Sequence, residues 1–263
     1  MSLYKYTLRP DHPSADETHF FQMVQYAPLP PSADLTAYCG PVKNQGQIGD
    51  CSGMASSDLR AWWENKQDHT PLNFSAMYVY AWERIREGDL NKDAGARLQD
   101  AAAVLTTQGV APETIWPTAT TTLFSTPTPA ANDAALPYKM GKAYRLHGLA
   151  DVLQAIAQGY PVLLGILVYP EFESPQAIQT GKVPIPQQYD AVLGGHAIVG
   201  VAYNLAEQWV KIQNSWGQQV GDQGYFYLPF AYITGGLMSA WVVLPPVVEE
   251  PPIAKKTSKK KIV

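Results

Sequence analysis

Pro41-Val42-Lys43-Asn44-Gln45-Gly46-Gln47-Ile48-Gly49-Asp50-Cys51-Ser52-Gly53 joins a polar, glycine-punctuated turn to an apolar run. Beyond it, Met54, Ala55, Leu59, Trp62 and Trp63 recur at helical spacing, with Asp50 as the candidate cap, so Cys51 falls in the first turn of a helix. The positive end of the helix dipole favours a thiolate there. A neutral thiol, with a pKa of about 8.5, is a poor nucleophile, whereas a thiolate beside an imidazolium attacks a carbonyl readily. Gly194-Gly195-His196-Ala197 and Gln213-Asn214-Ser215-Trp216-Gly217 supply the missing groups. His196 is the candidate proton carrier, and the Asn214 amide oxygen orients it without removing its charge. Attack creates an oxyanion, for which the Gln45 carboxamide and the Cys51 backbone N–H are the candidate donors.

These three segments together resemble the active site of papain-like cysteine proteases. His196 lies 145 residues after Cys51 and Asn214 lies 163 after it. Papain-like partners fall roughly 130 to 150 residues downstream, so the histidine is inside the window and the asparagine slightly beyond it. The resemblance runs from about Leu29 to Val243. It implies an α+β, two-lobed fold, with an N-terminal helical lobe, a C-terminal antiparallel β-barrel-like lobe, and the active-site cleft between them. It also implies a substrate cleft bordered by Gly194, Gly195, Gly95 and Ala96, whose small side chains suggest a roomy space. Trp216 takes the place of the family tryptophan that shields the Asn–His hydrogen bond. Ile48 and Ser52 stand where relatives carry a cysteine and a tryptophan, so the usual disulfide is missing and the nucleophile's helix lacks its aromatic partner. That departure points to the disulfide-free bacterial branch.

The chain has 263 residues, 46% hydrophobic, enough for one large core or two small lobes. The net charge of −4 and pI near 5.7 give no basic face for nucleic acid, and a peptide or protein substrate fits better. A protein inhibitor is a further expected partner, and the chain is expected to be a monomer. Only Cys39 and Cys51 are available, so no structural disulfide is expected, and Cys39 reads as a small buried hydrophobe. No metal or other cofactor is called for, because two cysteines and scattered histidines form no ligand-spaced cluster. His12, His19, His69 and His147 read as surface residues. No stretch approaches about 18 continuous apolar residues, and the N-terminus lacks the pattern of a signal peptide. The expected location is a reducing cytoplasm, or outside the cell by a route without an N-terminal signal.

Residues 1–28 are polar and proline-rich, with aromatics at Phe20, Phe21 and Tyr26. They read as an extension packed along the back of the domain, or alternatively as a short propeptide lying in the cleft. The catalytic domain is expected over residues 29–247, with a helical lobe at about 40–120 and a β-rich lobe at about 138–245. Helices are predicted at Ser75 to about Glu87, Ala96 to about Gln108 and about Leu149 to Gln158. Gly88 and Gly109 serve as stops for the first two. Pro117 to Pro137 reads as the least structured internal stretch and the crossing between lobes. Strands are predicted at 161–168, 197–203, 209–213, 225–228 and 240–244. Residues 248–263, acidic then lysine-rich, read as a solvated tail.

The expected chemistry is peptide-bond hydrolysis through a Cys51/His196 pair and an acyl-enzyme. Two alternatives stay open: acyl or peptidyl transfer by the same site, and a catalytically silent binding module.

Overall fold

A computed structural model describes residues 4–12, 14, 17–67 and 72–246. The lysine-rich tail and His69 lie outside the described residues. The helices are α1 (Phe20–Met23), α2 (Cys51–Lys66), α3 (Ala76–Glu87), α4 (Leu98–Thr107), α5 (Pro129–Ala135), α6 (Leu149–Ala157), α7 (Pro175–Thr180) and α8 (Phe230–Gly236). The strands are β1 (Ser32–Asp34), β2 (Lys142–Arg145), β3 (Val162–Val168), β4 (Gly194–Asn204), β5 (Trp209–Gln213), β6 (Tyr225–Pro229) and β7 (Leu237–Leu244).

Helix α2 is nearly enclosed, with fourteen of its residues buried from Cys51 to Glu64. It packs closely on α3, because Gly53 has no Cβ: one built there would stand 2.3 Å from the Ala76 carbonyl oxygen. Helix α3 starts where Ser75 accepts from the Tyr78 amide and ends on Gly88, whose φ of 76° is left-handed. The stretch 117–137 is more ordered than its composition suggests. Thr128 caps α5, Pro129 opens it, and Leu123, Ala131 and Ala135 pack with Met77, Tyr78, Tyr80 and Trp116 in a third cluster.

The strands form one antiparallel sheet in the order β2-β7-β3-β4-β5-β6, with β1 also paired to β4. The sheet is open, with β2 and β6 at its ends, and is not a closed barrel. Period-two alternation divides β3 and β4 between two cores. Leu163, Ala197, Val199 and Val201 pack with α2 and α4, whereas Leu164, Ile166 and Ile198 pack with α6 and with Tyr232 and Ile233 of α8. The chain thus combines a helical half and a sheet half in a papain-like α+β fold. Both cysteines are free. Cys39 is half-buried rather than fully buried, and it shares a hydrogen bond with Tyr225.

The N-terminal stretch takes two courses. Residues 17–27 lie along β2 and α6: Arg145 N donates to Thr18 O at 2.8 Å, Phe20 is fully buried, and Gln154 Nε2 donates to Ala27 O at 2.6 Å. Residues 4–9 instead cross the cleft between the halves, contrary to the favoured expectation of packing along the back.

Candidate active site

The start of α2 and the strand β4 bring the distant motifs together. Cys51 opens α2 and is 1% exposed. The Ala197 backbone N–H reaches its thiol, which places the cysteine against the residue that follows His196. His196 is fully buried on β4, and its Nε2 lies 2.8 Å from Asn214 Oδ1. The same oxygen accepts from Ser215 N at 2.8 Å, so two donors hold the Asn214 carboxamide in place. The other imidazole nitrogen, Nδ1, is buried and makes no hydrogen bond. Trp216 stacks on the imidazole at 5.5 Å between centroids and is 2% exposed, with Phe172 edge-on to it at 5.1 Å.

Gln45 reaches this site from the preceding loop and is 3% exposed. Its backbone N–H donates to Ser215 O at 2.9 Å, its Oε1 accepts from Ser215 Oγ at 2.6 Å, and its Nε2 donates to Ile48 O at 3.0 Å. A carboxamide carries two N–H donors, so one remains after the Ile48 bond. Ser215 is therefore the post that ties Gln45 to the Asn214 loop. Its position beside Asn214 in the motif was the only sign of it in the sequence.

The small residues do not leave an open space. Gly195 O accepts from Leu8 N at 2.9 Å, and Ala96 O accepts from Arg9 N at 2.9 Å. A Cβ on Gly95, whose φ is 75°, would stand 1.8 Å from Thr7 O, and one on Gly194 would stand 2.5 Å from Tyr6 O. Tyr4 stacks flat on Trp216 at 4.1 Å, Tyr6 meets the His196 ring edge-on at 5.8 Å, and Leu8 is 5% exposed beside Gly165, Leu98 and Ala197. The cleft is filled by residues 4–9. Their alternation, Tyr4-Lys5-Tyr6-Thr7-Leu8-Arg9, was the available signal that this stretch is extended and two-sided.

Burial dominates the electrostatics. It pushes the Cys51 thiol up to about 12 and the His196 imidazole down to about 4, the latter against the Asn214 bond. Both shifts favour the neutral thiol and the neutral imidazole while the cleft is covered. Asp50 stands at the N-cap of α2, but its carboxylate makes no cap bond, because ψ of 24° is not the extended conformation that turns the side chain onto the first amides. Both its oxygens are buried without hydrogen-bond partners. Where relatives carry an aromatic residue, Ser52 Oγ donates to Glu83 Oε2 at 2.6 Å, also fully buried.

Burial pushes both the Asp50 and Glu83 carboxyls up to about 8. The folded state therefore keeps protons that the unfolded chain, with carboxyl pKa values near 4, has released. Stability from these acids is present at low pH and is lost as pH rises towards 8. Between pH 6.5 and 9, above the window in which His196 acts in the opposite sense, unfolding free energy should fall by roughly 1–3 kcal/mol. For a chain of this size that lowers Tm by about 3–10 °C. Thermal melts across that range should show a smaller decline for Asp50→Asn, and an equal decline would remove Asp50 as its source.

A thiol at a helix start, an adjacent strand histidine and an amide that orients it define the class of thiol-dependent hydrolases. Residues 29–233 match the profile of the papain family cysteine proteases, so the chain belongs to the papain family. It is 28% identical over 213 residues to an uncharacterized peptidase C1-like protein of Acanthamoeba polyphaga mimivirus, covering 76% of this chain and 68% of that one. It is 31% identical over 204 residues to a cathepsin B-like protein of Giardia intestinalis, covering 72% of this chain and 64% of that one. Among solved structures, xylellain, a cysteine protease from Xylella fastidiosa, superposes with a TM-score of 0.83 at 28% identity, covering 91% of this chain and 96% of that one. Among the described residues no helix is long and apolar enough to cross a membrane.

Proposed function

We propose that the chain is a cysteine peptidase that cleaves peptide or protein substrates through an acyl-enzyme on Cys51. The observation that carries this reading is the buried His196–Asn214 bond of 2.8 Å, which commits Nε2 and leaves Nδ1 for the thiol. His196 takes the thiol proton, Cys51 attacks the peptide carbonyl, and the imidazolium protonates the leaving amine. His196 then activates the water that releases the acyl group. Asn214 holds the imidazole in register. The second Gln45 N–H and the Cys51 backbone N–H stabilise the oxyanion. Water in place of an acceptor amine distinguishes this reading from peptidyl transfer. Retention of all four residues argues against a silent binding module.

In this reading residues 4–9 act as a short propeptide-like cover. While they lie over the site, desolvation keeps Cys51 and His196 neutral and the nucleophile dormant. When they leave, water enters and the thiolate–imidazolium pair becomes accessible.

Labelling of the intact chain by an epoxysuccinyl peptide, followed by peptide mapping, tests the reading directly. Modification should fall on Cys51 and abolish cleavage of a fluorogenic peptide, whereas modification of Cys39 alone would count against it. Gln45→Ala should lower kcat by about 10- to 1,000-fold with little change in KM, the range expected when one oxyanion donor is lost. An unchanged kcat in steady-state assays would remove Gln45 from the oxyanion site.

A further inference from the structure

Residues 4–9 show which chemistry the cleft accepts, side chain by side chain. Leu8 fills an apolar pocket bordered by Gly165, Leu98 and Ser239. Arg9, next to Leu8, and Lys5, three positions before it, bring cations to carboxylates on the rim of the helical half. Arg9 pairs with Glu87 and with Asp89, its Nη1 3.1 Å from Asp89 Oδ2, while its Nη2 donates to Gly95 O at 3.0 Å. Lys5 pairs with Asp93 and also donates to the Asp93 carbonyl oxygen at 2.7 Å. Asp93 in turn accepts from Gly49 N at 3.0 Å, two residues before Cys51. Across the cleft, Tyr6 donates to Glu173.

These rim carboxylates are mostly enclosed, with side chains 3% exposed for Glu87, 14% for Asp89 and 16% for Asp93. Glu87 keeps a second partner, since Arg97 Nη1 lies 3.1 Å from its Oε1. Asp93 keeps its Tyr80 and Gly49 donors. Asp89 keeps no second hydrogen-bonded partner, only the more distant Arg84 charge, and its Oδ1 is buried without a hydrogen bond even with Arg9 in place. For a substrate to enter, Lys5 and Arg9 must leave. Asp89 and Asp93 then lose their hydrogen-bonded cations and keep only the longer-range field of the buried Arg84 guanidinium, which is costly for carboxylates this enclosed.

We propose that Asp89, with Glu87, and Asp93 are cation-recognition subsites flanking the Leu8 pocket, so that the preferred substrate is a peptide with an aliphatic residue next to an arginine and a second basic residue three positions from the aliphatic one. This rests on the peptidase reading above and adds the substrate class to it. The guanidinium suits Asp89 because both carboxylate oxygens are available to a planar fork. The ammonium suits Asp93, whose Oδ1 is already committed to two donors and whose other oxygen is left for a point charge.

The test uses peptides with leucine flanked, on either side in turn, by arginine, glutamine or glutamate. Binding is read by fluorescence anisotropy on full-length Cys51→Ala, and turnover on the unmodified chain. Residues 4–9 compete equally with every peptide, so the ratio between peptides does not depend on how often the cleft is open. At low ionic strength the arginine peptide should bind and be cleaved about tenfold better than its glutamine counterpart, one charge-assisted pair's worth. Asp89→Asn should reduce that ratio to below about twofold, and Asp89→Lys should favour the glutamate peptide. A wild-type ratio near one, or a ratio unchanged in Asp89→Asn, overturns the proposal. Preferential binding without cleavage of any peptide would sustain the recognition site and overturn the peptidase reading, whereas cleavage without preference would do the reverse.

Discussion

Replacing Cys51 by alanine is expected to lower kcat by about 10⁴- to 10⁶-fold while leaving the fold intact, because in the proposed mechanism the attacking atom disappears and no other group substitutes for it. The nearest other thiol, Cys39, is no substitute, since burial pushes it up to about 12 and its hydrogen-bond partner is Tyr225. His196→Ala should cost a similar factor, because in the proposed mechanism it removes the proton carrier for both half-reactions. Asn214→Ala should cost less, since the imidazole remains and stays stacked against Trp216 at 5.5 Å. A fluorogenic peptide assay, paired with a thermal melt to establish folding, measures all three. Folded Cys51→Ala with more than about one per cent of wild-type turnover would show that another residue is the nucleophile.

The second large effect is expected from Leu8→Asp. The Leu8 side chain is 5% exposed in its apolar pocket, and burying a leucine is worth about 1.5–3 kcal/mol. A carboxylate there loses that burial and adds the cost of an unpaired charge beside Gly165 and Leu98. The segment should then leave the cleft for a larger share of the time, raising kcat/KM by about 10- to 100-fold. Alkylation of Cys51 by iodoacetamide should rise in parallel. In the wild type, with the thiol held near 12, alkylation should be slow at neutral pH and quicken as pH rises. In Leu8→Asp it should persist to lower pH as hydration restores the thiolate–imidazolium pair. Equal rates of cleavage and alkylation in the two proteins, both folded, would mean that residues 4–9 do not gate the site. An effect of Tyr4→Ala in the same direction would separate loss of the cover from the introduced charge.

The helical half was legible because its signals are local. The run from Met54 to Trp63 lies within α2, and Ser75 with Gly88 marked the ends of α3, since caps and left-handed glycines act within one turn. The strand of Trp209–Gln213 was read to the residue for a similar reason. The stretch 117–137 was not, because its helix depends on burial of Ala131 and Ala135 against α3 rather than on its own periodicity. Asp50 shows the same limit at a single residue. Its type suits a cap, but the backbone turn into α2 leaves the carboxylate buried and without a hydrogen bond.

By itself the sequence named, in order, the residues that the fold draws together: Gln45, Cys51, His196 and Asn214 each sit in a recognisable local motif. It also determined that the three long helices α2, α3 and α4 precede the strands β3 to β7, because periods of 3.6 and 2 are written in neighbouring residues, whereas β1 ahead of α2 and α7 and α8 among the strands were not read from it. Only the tertiary structure decided that the sheet stays open, that Ser215 joins Gln45 to Asn214, and that residues 4–9 fill the cleft with cations on Asp89 and Asp93. The physical reason is that these outcomes rest on surfaces assembled from far apart in the chain. Leu8 meets Gly165 and Gly195, Tyr4 meets Trp216, and Arg9 meets Glu87 and Asp89. The free energy of each contact is a property of both partners, and no stretch of sequence contains both.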